Sequence, residues 1–323
     1  MSGPGPYDRL PTYEELPVRA GAPAGSSWGL WGDDDRLGCL NLTQDPAKVA
    51  RAAGLVRRGA VFPLDWDRAL PDPPYFGRSA MRHEVEGEAG ATQDDMLHDF
   101  NPQASSQWDG FRHFGNGGRK YNGLDSDQHG VDHWAEKGIV TRGILVDVAR
   151  WSQRRGEPLT MAASVDIGAD QLRAILDDQS TTVEAGDILV IHTGWIDWYL
   201  SLERAVREKL STLRAPRCPG LRAGREMVAA LWDLHIAAVA SDTPSMEVAP
   251  FGAGLPEEEQ GGPYWSLHQH LLPLLGMPIG ELWDTRRLAA DCENDRVYEF
   301  MLTSAPMNIR AGVATPPNAL AIK

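Results

Sequence analysis

Gln103-Ala-Ser-Ser-Gln-Trp-Asp-Gly-Phe-Arg-His113 sets Gln107, Asp109 and His113 within seven residues, with Gly110 directly after the aspartate. In an extended strand Gln107 and Asp109 share a face, because side chains alternate with period two. The turn that Gly110 permits can return His113 toward them. An amide oxygen, a carboxylate and an imidazole at one point can hold a divalent cation, or position a water or a substrate carbonyl. The same residues also suit an ordinary turn, with Asp109 capping it and His113 hydrogen-bonded in the core. On these residues alone both readings stand.

Outward from this stretch the chain alternates. Ile144-Leu-Val-Asp-Val148, Asp187-Ile-Leu-Val-Ile191 and Ile236-Ala-Ala-Val-Ala-Ser241 are short, β-branched or small apolar runs ending in polar turns, which predicts buried strands. Residues 168–177 predict a helix between two of them, with Leu172, Ile175 and Leu176 on one face. Further helices are expected at 46–57 and 222–234, a strand at 61–66, and helical spacing at 266–275, continuing at 282–290 past a break at 276–280. The Pro- and Gly-rich start reads as an arm. The predicted division is residues 1–60, an N-terminal arm with a short helix, and residues 61–323, a catalytic domain. The acidic loop Ser27–Arg36 lacks the oxygen-ligand spacing of an EF-hand and reads as a solvated turn or a docking segment. Strands with intervening helices indicate a mixed α/β chain.

The ordered set of segments resembles the cyclase family of metal-dependent hydrolases, which includes bacterial kynurenine formamidase and isatin hydrolase. That family carries His-x-Gly-Thr-His-x-Asp-x-Pro-x-His. Laid on this chain by its aspartate, the string matches Asp109 and His113. It departs at Gln103 and Gln107, where the family has histidines, and at Phe111, where it has proline. The Ser-Ser-Gln-Trp-Asp-Gly form looks like a divergent branch. Residues 138–148, 186–195, Ser241-Asp-Thr-Pro-Ser245, 268–281 and 310–322 resemble family segments in the same order, covering roughly 60–323. The resemblance implies a swivelling β/β/α fold with a central barrel-like sheet and surrounding helices. It also implies that Asp109 is a metal ligand and that a distal His and Glu complete the site.

Composition bounds the rest. The chain has 323 residues, 42% hydrophobic and 24% charged, with net charge −14 and pI near 5.1. That acidity argues against nucleic-acid or anionic-membrane partners, and no run approaches a membrane span. No secretory signal is visible, and Cys39, Cys218 and Cys292 are widely spaced and odd in number. Together these predict a cytoplasmic protein without a disulfide framework. No nucleophile elbow, Walker A string or dinucleotide fingerprint occurs, so no organic cofactor is expected.

The expected chemistry is hydrolysis of an amide, N-formyl or lactam C–N bond in a small cyclic or aromatic substrate. A biosynthetic cyclase or dehydratase using the same site is the alternative, as is a degenerate member that only binds a small molecule. The candidate metal ligands are Gln107, Asp109, His113, His268 and Glu281. His270 stands beside His268, because the spacing to Glu281 is uncertain by about one residue. A neutral amide in place of an imidazole should tilt the site toward one ion, manganese or zinc with magnesium possible. The candidate catalytic residues are Asp109, His113 and His129. Gln107, Trp108, Phe111, Tyr121 and His133 are the expected substrate contacts, with Phe114 as a further apolar wall and Asp242 and Glu247 as pocket-lining acids. A dimer or tetramer of the chain itself is expected.

Overall fold

We describe a computed structural model in which residues 9–213 and 216–323 are placed. Residues 1–8 of the expected arm lie outside the described residues. A single nine-stranded sheet organises the chain and curls into a half-barrel flanked by helices. Its spatial order is Val61–Pro63, Ala319–Ile322, Glu299–Ser304, Ile139–Asp147, Ile188–His192, Ala238–Ser241, Ile279–Glu281, Gln107–Asp109 and Ala314–Thr315. The four strands from Ile139–Asp147 to Ile279–Glu281 run parallel, and every other pairing in the sheet is antiparallel.

The parallel centre follows from the sequence. Every residue of Ile188–His192 and of Ala238–Ser241 is buried, because helices cover the sheet and leave no polar face. Helices Ala169–Asp178 and Arg225–Asp233 form within the expected ranges, the first burying the expected face of Leu172, Ile175 and Leu176 and the second burying Met227, Val228 and Leu231. The strand Glu299–Ser304, paired on both sides in the antiparallel part of the sheet, alternates half-buried and buried residues with period two.

Several boundaries differ from expectation, each for a local reason. The first helix is Pro46–Ala53: Asp45 caps it by accepting from the Ala47 amide at 2.8 Å, and it stops at Gly54. The apolar run 266–275 is one turn of α-helix, His268–His270, followed by a π-helical turn, Leu271–Leu275, that ends on left-handed Gly276. π-helical turns concentrate at functional sites. The expected break at 276–280 contains the strand Ile279–Glu281, and the next helix begins only at Arg286. The hairpin Arg82–Gly87 with Gln93–His98 has no signature in the sequence, because its residues are nearly all exposed and show no apolar alternation.

The segment before Val61 packs into the main core. Trp28 is buried, and its indole N–H donates to the Pro273 carbonyl at 2.8 Å. The Cys39 amide donates to the Gly276 carbonyl at 2.7 Å. In the acidic loop, Asp35 accepts from the Gly38 amide and the Tyr121 hydroxyl, which makes it a structural anchor. The three cysteines are buried and unpaired.

Candidate metal centre

The short strand Gln107–Asp109 lies between Ile279–Glu281 and Ala314–Thr315. Its antiparallel register sets Gln107 opposite Glu281 and Trp108 opposite Gly280. Alternation then sends Gln107 and Asp109 to one face and Trp108 to the other. The Gly110 amide donates to the Val313 carbonyl at 3.0 Å, and a Cβ at Gly110 would meet that oxygen at 2.7 Å. The glycine therefore serves close backbone approach. His113 follows one turn later, its amide bonded to the Gly110 carbonyl at 2.9 Å.

The turn brings together what the sequence suggested. Asp109 is fully buried, and one ligand atom each from Asp109, His113 and His268 falls within 4.8 Å of the others. His268 Nε2 lies 3.7 Å from Asp109 Oδ2 and 3.2 Å from Glu281 Oε1. On its other side His268 Nδ1 meets Glu247 Oε2 at 2.6 Å, and Ser266 Oγ donates to Glu247 Oε1 at 2.8 Å. A carboxylate on Nδ1 fixes the ring's tautomer and aims Nε2 at Asp109 and Glu281. Glu281 is held by the Met246 amide at 2.9 Å.

The two glutamines complete the cluster. Gln103 Nε2 donates to Asp109 Oδ1 at 2.6 Å and lies 3.1 Å from His113 Nδ1. Gln107 Nε2 donates to Glu281 Oε2 at 2.7 Å and to Asp109 Oδ2 at 3.2 Å. The Gln107 carbonyl oxygen accepts from Arg78 Nη1 at 3.4 Å, and the same nitrogen donates to the Gln103 backbone carbonyl. Arg78 had no distinguishing signal in the sequence, being one of many arginines in a Pro- and Gly-rich loop.

Electrostatics follow this packing. Burial raises the Asp109 carboxyl, but His113, His268 and Arg78 outweigh it and hold the group down to about 2. Burial and neighbouring Asp109 raise Glu281, against His268 and Arg78. Burial opposes the charged form of His268, yet Glu247, Asp109 and Glu281 together raise its pKa well above the ordinary value. His113 is lowered, chiefly by burial.

The remaining candidates lie elsewhere. Trp108 packs edge-on against Trp283 at 4.7 Å and donates to Ser304 Oγ at 3.0 Å, on the core face of its strand. Phe111 and Tyr121 pack on each other and on His129, not on the Asp109 cluster, because the chain turns after Gly110. His129 Nε2 meets the Tyr121 carbonyl at 2.8 Å, so this ring is built into the core. His133 reaches the Gln128 carbonyl at 3.2 Å. His270 stacks on Tyr264 at 4.4 Å and bonds the Ser266 carbonyl, which leaves His268 as the inward histidine. Asp242 accepts from the amides of Thr193, Gly194 and Trp195 and so braces that turn instead of lining the site. Aromatic walls do exist: Phe114 lies 4.8 Å from the His113 ring and 4.9 Å from His268, and Phe251 stacks on His268 at 5.6 Å. Phe114 was among the expected walls, whereas Phe251 sits in a loop with no periodicity to mark it.

No helix among the described residues is long and apolar enough to cross a membrane. A search of curated proteins finds no match. Among solved structures, a novel cyclase is 28% identical and superposes with a TM-score of 0.76, covering 92% of this chain and 99% of its own. Isatin hydrolase A from Ralstonia solanacearum is 16% identical with a TM-score of 0.59, over 85% of this chain and 96% of that one. Isatin hydrolase A from Labrenzia aggregata, solved with benzyl benzoate, is 15% identical with a TM-score of 0.57, over 84% and 94%. At those identities the two hydrolases speak for the fold. Residues 47–248, more than half of the sequence, match the Cyclase family, and the chain belongs to it.

Proposed function

We propose that this chain is a metal-dependent hydrolase that cleaves an amide, N-formyl or lactam C–N bond in a small aromatic or cyclic substrate. The observation that carries the reading is the convergence of Asp109, His113 and His268 ligand atoms within 4.8 Å. The donor set, one carboxylate and two imidazoles with the Glu281 carboxylate 3.2 Å from His268, fits a single divalent ion such as manganese or zinc. Asp109, His113, His268 and Glu281 would hold it, with Gln107 at the margin. The ion would polarise a substrate carbonyl and acidify a water.

The chain's own residues have separate tasks in this reading. Glu247 keeps the His268 ring oriented, with its Nδ1 side occupied. His113 is partly exposed while Asp109 is not, so it would hold the ion from the open side of the site, with Gln103 on its Nδ1. Phe114 and Phe251 exclude water and present flat apolar faces to an aromatic substrate. His129 and His133 have no part in it, since each has its Nε2 engaged with a backbone carbonyl and neither joins the Asp109, His113 and His268 group.

One observation favours a second reading, in which the site binds a small molecule without hydrolysis. Both Asp109 oxygens accept amide N–H groups, from Gln103 and Gln107, so the carboxylate is satisfied by the protein alone. Elemental analysis of protein prepared without chelator, with hydrolysis assays on N-formyl and lactam compounds, separates the two. The proposal expects about one equivalent of divalent metal or less, and hydrolytic product. Gln107→His should raise zinc affinity, because imidazole is the better zinc ligand. Protein that takes up no metal even after soaking, and turns over nothing, would establish the second reading. A cyclised or dehydrated product would point to the biosynthetic alternative.

A further inference from the structure

Arg78 is anchored on one side only. Its Nη1 donates to the Gln103 backbone carbonyl and to Gln107 Oε1, and its guanidinium lies 5.0 Å over the Phe76 ring. Its Nε and Nη2 have no hydrogen-bond partner among the described residues, and no carboxylate there pairs with it, although the chain carries 45 acidic residues against 31 basic ones. Contrast Arg142, whose guanidinium is engaged by Asp187, Glu299 and the Thr182 carbonyl. Arg78 is half-buried, so its unpaired edge is within reach of a ligand.

The unpaired atoms are informative. Nε and Nη2 form the side-on fork whose parallel N–H groups match the two oxygens of a carboxylate. The other edge is tied to the backbone of the Gln103 turn and to the amide that touches Asp109 and Glu281, so the fork is held at a fixed distance from the reaction centre. A free arginine pointing into solvent would lose side-chain entropy on binding, whereas one stacked on Phe76 and bonded twice has already lost much of it. The buried carboxylates of Asp109, Glu247 and Glu281 repel an anion that approaches without such a partner.

We infer that Arg78 is a specificity-determining residue that receives a carboxylate on the substrate, so that the preferred substrates are aromatic or cyclic amides bearing a carboxylate. The inference rests on the proposed function for the location of the reaction centre. Its test needs no turnover, so the two can fail separately.

Benzoate and benzamide are nearly isosteric and differ in charge, which makes them suitable probes. Calorimetric titration of each into the full chain, with metal content measured on every sample, is compared for wild type, Arg78→Gln and Arg78→Lys. Wild type should bind benzoate at least about ten-fold more tightly than benzamide, the equivalent of one charge-assisted hydrogen bond. Arg78→Gln should remove that preference and leave benzamide binding unchanged. Arg78→Lys, which keeps the charge but loses the planar fork, should retain part of it. Equal binding of the two probes to wild type would overturn the inference. So would a benzoate preference that survives Arg78→Gln, since the carboxylate would then be sitting on the metal. If Arg78→Gln does not unfold cooperatively, the Arg78→Lys titration decides: an undiminished benzoate preference there overturns the inference.

Discussion

Two histidine-containing clusters lie on opposite sides of the Gly110 turn, and they are opposites in chemistry. On one side His268 sits between the buried carboxylates of Glu247, Asp109 and Glu281, with Phe114 and Phe251 against the faces of its ring. On the other side His129 sits among Phe111 and Tyr121, with a single hydrogen bond to a carbonyl and its Nδ1 unpartnered. Both rings are almost fully buried. Burial alone disfavours the charged form of each, and the difference comes from what faces the ring. Both rings have aromatic neighbours, so the carboxylates make the difference: they turn one buried imidazole into part of an ionic centre, and without them the other is a piece of core.

The sharpest way to break this comparison is to cut one cluster and watch the other. Asp109→Ala should abolish hydrolysis and metal retention while preserving a cooperative thermal transition, because a carboxylate held for a cation serves function more than stability. Loss of the transition would mean that Asp109 is a structural cap. Phe111→Ala should do the reverse. It removes a ring packed on Tyr121, His129 and Trp134, which costs about 3–5 kcal/mol of stability by chemical denaturation, with metal content per folded molecule unchanged.

The third prediction concerns pH. Burial lowers the His129 imidazole to about 4, against an ordinary value of 6.5. The folded protein therefore refuses a proton that the unfolded chain accepts. The stability associated with neutral His129 is full above pH 6.5 and is lost as pH falls toward 4, by roughly 3 kcal/mol. Denaturation midpoints of wild type and His129→Gln, measured across that window, should converge as pH drops. Parallel curves would show that the ring is already protonated in the folded state. The smallest effect is expected for Glu247→Gln. Weakening the partner of His268 Nδ1 should lower metal affinity by about 10- to 100-fold and leave the thermal transition cooperative. Unchanged affinity would mean that the ring orients itself.

The same contrast explains what the sequence could reveal. The parallel strands were legible because full burial demands unbroken apolar runs, as in Ile188–His192. Gln107, Asp109 and His113 were legible because strand alternation and one turn act over seven residues. His268 and His270 could not be ranked by spacing. What decides between them is that Glu247 faces one and Tyr264 the other, and both partners come from tertiary packing. Trp108 and Phe111 read as site walls because they flank Asp109 in sequence, but alternation and the Gly110 turn send both away from it. Arg78 and Phe251 belong to loops, where no period marks which side chain turns inward.

The pairing of Gln107 with Glu281 has a consequence for how the molecule assembles. Their side chains bond across 174 residues of chain, and Ile279–Glu281 pairs with Ala238–Ser241 on one side and with Gln107–Asp109 on the other. Closing so long a loop costs chain entropy that the local turn from Asp109 to His113 does not. The centre therefore exists only in chains whose sheet is complete from Ile139–Asp147 outward. A partly folded molecule has the residues but no site.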